Sequence, residues 1–239
     1  LSNHKVDTRY VRQVPDGMGT WLAVFDNDGD VVASISKRPN LMPILDILEE
    51  QGDEIFAQAD SIVIEVDVDK AIMKKTLALA KKYGKQVYGV VANMSIGLER
   101  RDFLKELAAF VCNSQEAGLL FCTDFSDMEP EELAEEIARK IIQARIPRLI
   151  VTMGCRGAVY ADMDGNKGWC PARAVEVKDT TGAGDSFCAG LAVGLTYGKA
   201  LREACEIGTH LAASVIVTTE NVCPRFLPGE LGLDMDVPD

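Results

Sequence analysis

Basic charge is scarce in this 239-residue chain: 25 Lys and Arg stand against 37 Asp and Glu, a formal net charge of −12. Proteins that track a phosphate backbone usually present a basic face, so a nucleic-acid partner is disfavoured. Histidine is scarcer still. Only His4 and His210 occur, neither near an obvious nucleophile, which disfavours a Ser-His-Asp triad. The seven cysteines are odd in number, scattered and never spaced Cys-x-x-Cys. A reduced, cytoplasmic setting is therefore expected, not a disulfide framework or a zinc site. Apolar stretches such as residues 149–151 and 211–217 fall far short of a membrane span. Lys5, Asp7, Arg9 and Arg12 break up the start, so no signal peptide is read. A Gly-x-Gly-x-x-Gly is absent, which disfavours a dinucleotide-binding dehydrogenase, and no Gly-Lys-Ser/Thr completes a P-loop.

What is present is an ordinary globular composition with ample residues for a core. Residues 20–36 predict two strands around Asp28-Gly29, where glycine supplies the positive φ of a tight hairpin. Then come a helix through Leu45, Leu48 and Ile55, and an apolar strand over 61–68 carrying Glu65 and Asp67. A helix over 70–83 puts Met73, Leu77 and Ala80 on one face and stops at Gly84. A strand over 86–92, a helix over 101–110 and a short strand over 110–113 follow. Pro130 opens a helix with Leu133, Ile137 and Ile141 at helical spacing, before a strand over 148–153 and a hairpin over 158–169. A glycine-rich turn at 180–185, a helix over 186–197 and a final pair of elements within 199–219 complete the series. This alternation predicts a mostly parallel α/β sheet with helices on both faces. The expected organisation is one domain over 1–239, with lid strands in 8–37 and an α/β core in 60–239.

The strongest chemical signal is Asp179-Thr180-Thr181-Gly182-Ala183-Gly184-Asp185. Glycines let the main chain approach an anion, and the first amides of the following helix point at it with the helix dipole behind them. Asp185 falls in that first turn, where a carboxylate beside an anion hole suits proton abstraction from an attacking alcohol. The alternative on spacing alone is a turn with Asp185 as a simple helix cap.

This heptapeptide resembles the signature of the PfkB, or ribokinase-like, family of carbohydrate and nucleoside kinases. Asn113-Ser114-Gln115-Glu116 is similar to the family's Asn-x-x-Glu motif, and residues 151–158 (VTMGCRGA) to its Thr-x-Gly-x-x-Gly-Ala turn. The resemblance implies a ribokinase-like three-layer α/β/α sandwich with a small β-hairpin lid. It implies ATP-dependent phosphoryl transfer with Asp185 as general base and the amides of Gly182, Ala183 and Gly184 as anion hole. It gives Glu116, with Asn113, a role in organising Mg²⁺ through water, and sets Asn113, Thr152, Gly154 and Gly157 at the nucleotide. Asp179 and Thr181 match positions that bind a monovalent cation such as K⁺ in some members. Each motif has a plainer use as well: a helix start at Asn113, a tight turn at Gly154 and Gly157, a brace between Asp179 and Thr181.

Within the family, residues 153–169 and the lid are most similar to the pseudouridine kinases, so a pseudouridine-like nucleoside is the favoured acceptor. Those kinases carry Asp-Pro-Val-Ser where this chain has Ala92-Asn93-Met94-Ser95, which keeps ribose or a ketohexose as the runner-up. Asn93, Glu65 and Asp67 lie where open α/β sheets place ligands, and Asn93 is the acceptor-side candidate. The family's first strand, its early acceptor-contacting Asp and its Gly-Gly motif find no match after Leu1. The resemblance thus implies that about a quarter of the fold lies outside this sequence. An exposed lid edge would let a second copy pair there, giving a homodimer. A non-catalytic nucleotide-binding module stays open as the other class of function.

Overall fold

Apolar spacing and end signals place most of the elements. The computed structural model describes residues 4–15, 18–25 and 31–233. Two strands, β1 (Thr20–Phe25) and β2 (Val31–Lys37), pair antiparallel as a separate sheet, and the turn expected at Asp28-Gly29 lies outside the described residues. The expected helix through Leu45 and Ile55 is two helices, α1 (Met42–Glu50) and α2 (Gly52–Gln58). The break falls at Gly52, where an added Cβ would lie 2.5 Å from a Leu79 methyl, so the chain turns there to pack closely.

From β3 (Ser61–Glu65) onward strands and helices alternate. α3 (Lys70–Tyr83) buries Ile72, Met73, Leu77 and Ala80 and ends on left-handed Gly84, as the sequence predicts. After β4 (Gln86–Val90) comes the short α4 (Met94–Gly97) and then a 3₁₀ segment, Leu98–Glu106, in place of the helix expected over 101–110. Leu104 is its single buried residue, too little apolar surface to hold a long α-helix against the sheet. β5 (Ala109–Asn113) leads directly into α5 (Ser114–Phe121). α6 (Pro130–Ala144) starts on its proline and buries Leu133, Ile137 and Ile141 completely. β6 (Arg148–Thr152), β7 (Ala158–Asp162) and β8 (Lys167–Cys170) complete the sheet. α7 (Ala183–Thr196) begins inside the glycine-rich turn, and the expected final pair of elements is one helix, α8 (Leu201–Ile216).

The six-stranded sheet has the order β3-β4-β5-β6-β7-β8, parallel as far as β6 and antiparallel beyond it. Right-handed crossovers between strands laid down in one direction put their helices on one face. Accordingly Phe110, Cys112, Leu149 and Val151 pack with α3, α5 and α6, while Ala109, Val111 and Ile150 pack with α7 and α8. The two helices of that second layer meet backbone to backbone: a Cβ on Gly190 would lie 2.8 Å from Gly208 Cα. Three layers result, and the C-terminal ends of β3–β6 share one edge with the start of α7.

Candidate active site

Register sets the first pair. Asn113 and Thr152 are partners at the ends of β5 and β6. The Asn113 side chain accepts from the Glu116 amide (2.8 Å), and Glu116 Oε2 accepts from the Asn113 amide (2.7 Å), a complete capping box for α5. The plainer role of this motif is therefore present, and it leaves Glu116 Oε1 outside the box. Burial, with Asp67 repelling, holds the Glu116 carboxyl above its usual value.

Beside this pair lies a cavity of about 370 Å³ lined by Arg38, Asp67, Asn93, Asn113 and Glu116. Arg38 leaves the end of the lid and grips Asp67. Its guanidinium donates to the Asp67 carbonyl at 2.9 Å and makes a short ion pair with Oδ2. The Asn93 amide gives Oδ2 another bond at 3.1 Å. The Asp67 side chain is fully buried, and its Oδ1 has no hydrogen-bond partner among the described residues. An unpartnered buried carboxylate oxygen is costly, which marks the spot as one a ligand would complete. Asn93 enters mainly through its backbone; its side chain caps α4 by accepting from the Ile96 amide at 3.4 Å. Sequence reasoning missed Arg38, whose only signal was a cation just past the lid facing the acid-rich stretch 65–69.

The start of α7 is the second part of the site. Gly182 is the N-cap at φ +81°, and its missing Cβ would meet the Asn221 carbonyl at 2.6 Å. Gly184 is different: a Cβ there has nothing within 4 Å and no positive φ, so its outer side is open. The Ala183 amide bonds the Thr180 carbonyl at 3.2 Å, whereas those of Gly182 and Gly184 have no partner among the described residues. Of the three amides expected to form an anion hole, two are thus free in this structure. Asp179 Oδ1 accepts from the Thr181 amide at 2.8 Å, and that bond holds the Asp179 carboxyl below its usual value. Lys178 and Asp179 are tied by their amides to the Ile216 carbonyl at the end of α8.

Asp185 stands exposed in the first turn of α7, where the helix dipole favours its charge. Its charge reaches two neighbours. Burial together with Asp185 pushes the Cys188 thiol up to about 12, so that buried cysteine stays protonated. Glu65 is raised above its usual value by partial burial first, then by Asp67, with Asp185 adding to the repulsion and Arg38 opposing it. The structure therefore brings Asp185, Glu65, Asp67 and Glu116 to one edge of the sheet, with the cavity at its lid side.

Thr152 Oγ1 donates to the Cys112 carbonyl at 3.4 Å. Gly154 is open at φ +58°, but Gly157, at φ +92°, is packed: a Cβ would lie 2.1 Å from the Cys170 carbonyl. Gly157 thus lets the chain leaving β8 pass, while Gly154 keeps a free side. Among the described residues no three His, Cys, Asp or Glu side chains are gathered as a metal cage. No helix among them is long and apolar enough to cross a membrane.

Comparison with known proteins fits this arrangement. The family model described as pfkB family carbohydrate kinase matches residues 1–225. The chain is 33% identical over 230 residues to guanosine-inosine kinase of Exiguobacterium acetylicum, covering 95% of this chain and 75% of that one. It is 27% identical to pseudouridine kinase of Escherichia coli (strain K12), covering 74% of this chain and 55% of that one. The fold superposes on Arabidopsis thaliana ribokinase complexed with ribose and ATP with a TM-score of 0.67 at 21% identity, covering 84% of this chain and 64% of that one. The chain thus spans between 55% and 75% of the length of these three proteins. With a ribokinase-like sandwich, an antiparallel lid and a family match over nearly its whole length, the chain belongs to the pfkB family of carbohydrate kinases.

Proposed function

We propose that the protein transfers a phosphoryl group from ATP to a hydroxyl of a ribonucleoside. The observation that carries this reading is the start of α7, where Asp185 stands one residue beyond an amide on the open side of Gly184. In that arrangement Asp185 takes the proton from the acceptor hydroxyl. The free amides of Gly182 and Gly184, backed by the helix dipole, stabilise charge on the transferring group. Asn113, Thr152 and Gly154 border the nucleotide side, and Gly157 shapes their turn. Mg²⁺, when bound, neutralises charge between phosphate oxygens. Glu116 fits it through the carboxylate oxygen that the capping box leaves free. K⁺ at Asp179 and Thr181 belongs to the same proposal, and the bond between those residues braces the turn with or without it.

Asp67 and the backbone of Asn93 are proposed on the acceptor side, because the buried Asp67 Oδ1 faces no donor of the protein's own. A ribose hydroxyl is such a donor. The similarity to guanosine-inosine kinase supports a purine ribonucleoside alongside the pseudouridine-like acceptor. The exposed Trp21, Leu22, Val24 and Ile35 of the lid support a homodimer through the lid strands. Coupled ADP release with inosine, guanosine, pseudouridine, ribose and fructose tests the acceptor. Turnover on the nucleosides above that on the free sugars is expected. Preference for a free sugar would move the acceptor to ribose or a ketohexose, and ATP binding without any turnover would favour a nucleotide-binding module.

A further inference from the structure

Among the described residues, one buried side-chain polar atom has no hydrogen-bond partner, Asp67 Oδ1. Asp67 follows β3, lines the cavity beside Asn113 and Glu116, and has a side chain with no exposed surface. How its other atoms are held shows what that oxygen is left for.

An arginine that only neutralises a carboxylate commonly straddles both of its oxygens, the bidentate pairing of a planar fork. Arg38 does not. One end of its guanidinium donates to the Asp67 main-chain carbonyl at 2.9 Å, and the other pairs with Oδ2. The fork thus spans the main chain and the side chain of the same residue, which fixes the side-chain torsions and with them the direction of Oδ1. The Asn93 amide adds a contact at 3.1 Å, again on Oδ2. One residue further along, the mostly buried Arg100 donates to the Val68 carbonyl at 3.0 Å. The turn after β3 is therefore clamped from two sides, and none of these donors touches Oδ1. A buried carboxylate oxygen left bare is costly, and a hydroxyl offered by an occupant of the cavity removes that cost.

Arg38 comes from the lid. It follows Lys37, the last residue of β2, and Ser36 of that strand lines the same cavity. Seating of the lid strand and aim of the Asp67 carboxylate are thus set by one side chain. Asp185 is not among the residues that line this cavity, so a hydroxyl met by Oδ1 is not the one that Asp185 deprotonates.

Resting on the acceptor-side reading above, we propose that Arg38 is a positioning residue: acting through Asp67, it holds Oδ1 where it accepts a hydrogen bond from a second hydroxyl of the acceptor's ribose. Steady-state turnover of the full chain tests this with inosine, pseudouridine or ribose, whichever the wild type turns over fastest, against the forms that lack the sugar 2- or 3-hydroxyl. The wild type should favour the parent over one deoxy form by about tenfold or more in kcat/KM, the worth of a hydrogen bond to a charged group. Arg38→Lys keeps a cation beside Asp67 but has no rigid fork to reach carbonyl and carboxylate together. In that variant KM for the parent should rise about fivefold and the preference should shrink to about twofold, with KM for ATP unchanged. Asp67→Ala should abolish the preference, and adding Arg38→Lys to it should change the ratio no further, because both act through one atom. Should Asp67→Ala fail to fold, the ratio in Arg38→Lys decides alone.

An arginine that only braces the fold would lower turnover of parent and deoxy forms alike and leave their ratio intact. A full preference in Arg38→Lys, or a wild type that uses both deoxy forms as well as the parent, would overturn the proposal while phosphoryl transfer stands; solvent, not the acceptor, would then complete Oδ1. A wild type that turns over none of the three parents would overturn both readings.

Discussion

The two ends of α7 hold opposite charge, and they offset it differently. At its start, Asp185 joins Glu65, Asp67 and Glu116; at its end, Lys199 and Arg202 crowd the start of α8 with Arg148. Each sign suits the dipole of α7, whose start favours acids and whose end favours cations. Suiting one dipole does not remove the mutual repulsion, which adds to burial in raising the carboxyls of Glu65 and Glu116. At the far end Arg202 pairs with Glu206, and Glu203 caps the start of α8 by accepting from the Ala200 amide at 2.9 Å. Charge of one sign gathered at a concave surface is repulsive until something of the other sign arrives. The acidic edge therefore suits a bound cation, whereas the far end offsets Lys167 and Arg202 with Glu135 and Glu206.

The sharpest break of that contrast is Asp185→Asn. Turnover should drop about 10²–10⁴-fold, the usual worth of one positioned base. ATP affinity should be unchanged, since the side chain keeps its shape. A variant with near-normal kcat in the coupled assay would remove Asp185 from the role of base.

Arg38→Ala should have the next largest effect, and it concerns stability. The substitution leaves the fully buried Asp67 carboxylate with only the Asn93 amide. Breaking one half of a buried pair costs about 3–5 kcal/mol, and the lower end applies because Arg38 keeps 34% of its side chain exposed. Urea unfolding measures it, and a loss below about 1 kcal/mol, typical of a surface pair, would show that Arg38 does not hold Asp67 in solution.

The two ends were not equally legible. The start of α7 is written in one heptapeptide, so its turn, its free side and its acid could be read together. At the far end of α7, Arg148, Lys199 and Arg202 come from separate elements, and each alone reads as an ordinary strand, turn or helix residue. Arg38 and Asp67 are likewise 29 residues apart, joined only when the lid folds over the sheet edge. Asn113 and Glu116 were readable, yet their spacing serves a capping box as well as a cation, and sequence alone does not divide the two. Among the elements, the strands and α3 followed from apolar spacing. The pair of elements expected within 199–219 is the single helix α8, in which Gly208 sits mid-helix to admit α7.

Two neighbouring glycines sharpen what the start of α7 is for. Gly182→Ala places a methyl 2.6 Å from the Asn221 carbonyl at φ +81° and should cost about 1–3 kcal/mol of stability. Gly184→Val meets nothing of the protein within 4 Å, so it should melt within about 1 kcal/mol of wild type. Its branched side chain nevertheless fills the open side where phosphate is proposed, so ATP affinity should fall while the fold persists. A Gly184→Val protein with normal ATP affinity would show that this turn does not cradle phosphate.

The smallest effect is a pH dependence at Glu65. Partial burial, with Asp67 and Asp185 repelling, raises its pKa in the folded chain above the unfolded value. A carboxyl shifted in that direction stabilises the fold while it is protonated. Its contribution is fully present below the unfolded pKa and is lost as pH rises through the folded one. Glu65→Gln keeps the neutral form at every pH. The variant should therefore be slightly more stable than wild type at neutral pH, and the gap should close on acidification through the ordinary carboxylate range, about pH 4. Paired melting curves across that range measure the gap directly. A Gln variant that is less stable at neutral pH, or a gap that does not change with pH, would mean that Glu65 is already compensated, and the repulsion at the acidic end of α7 would then have to rest on Glu116 and Asp67 alone.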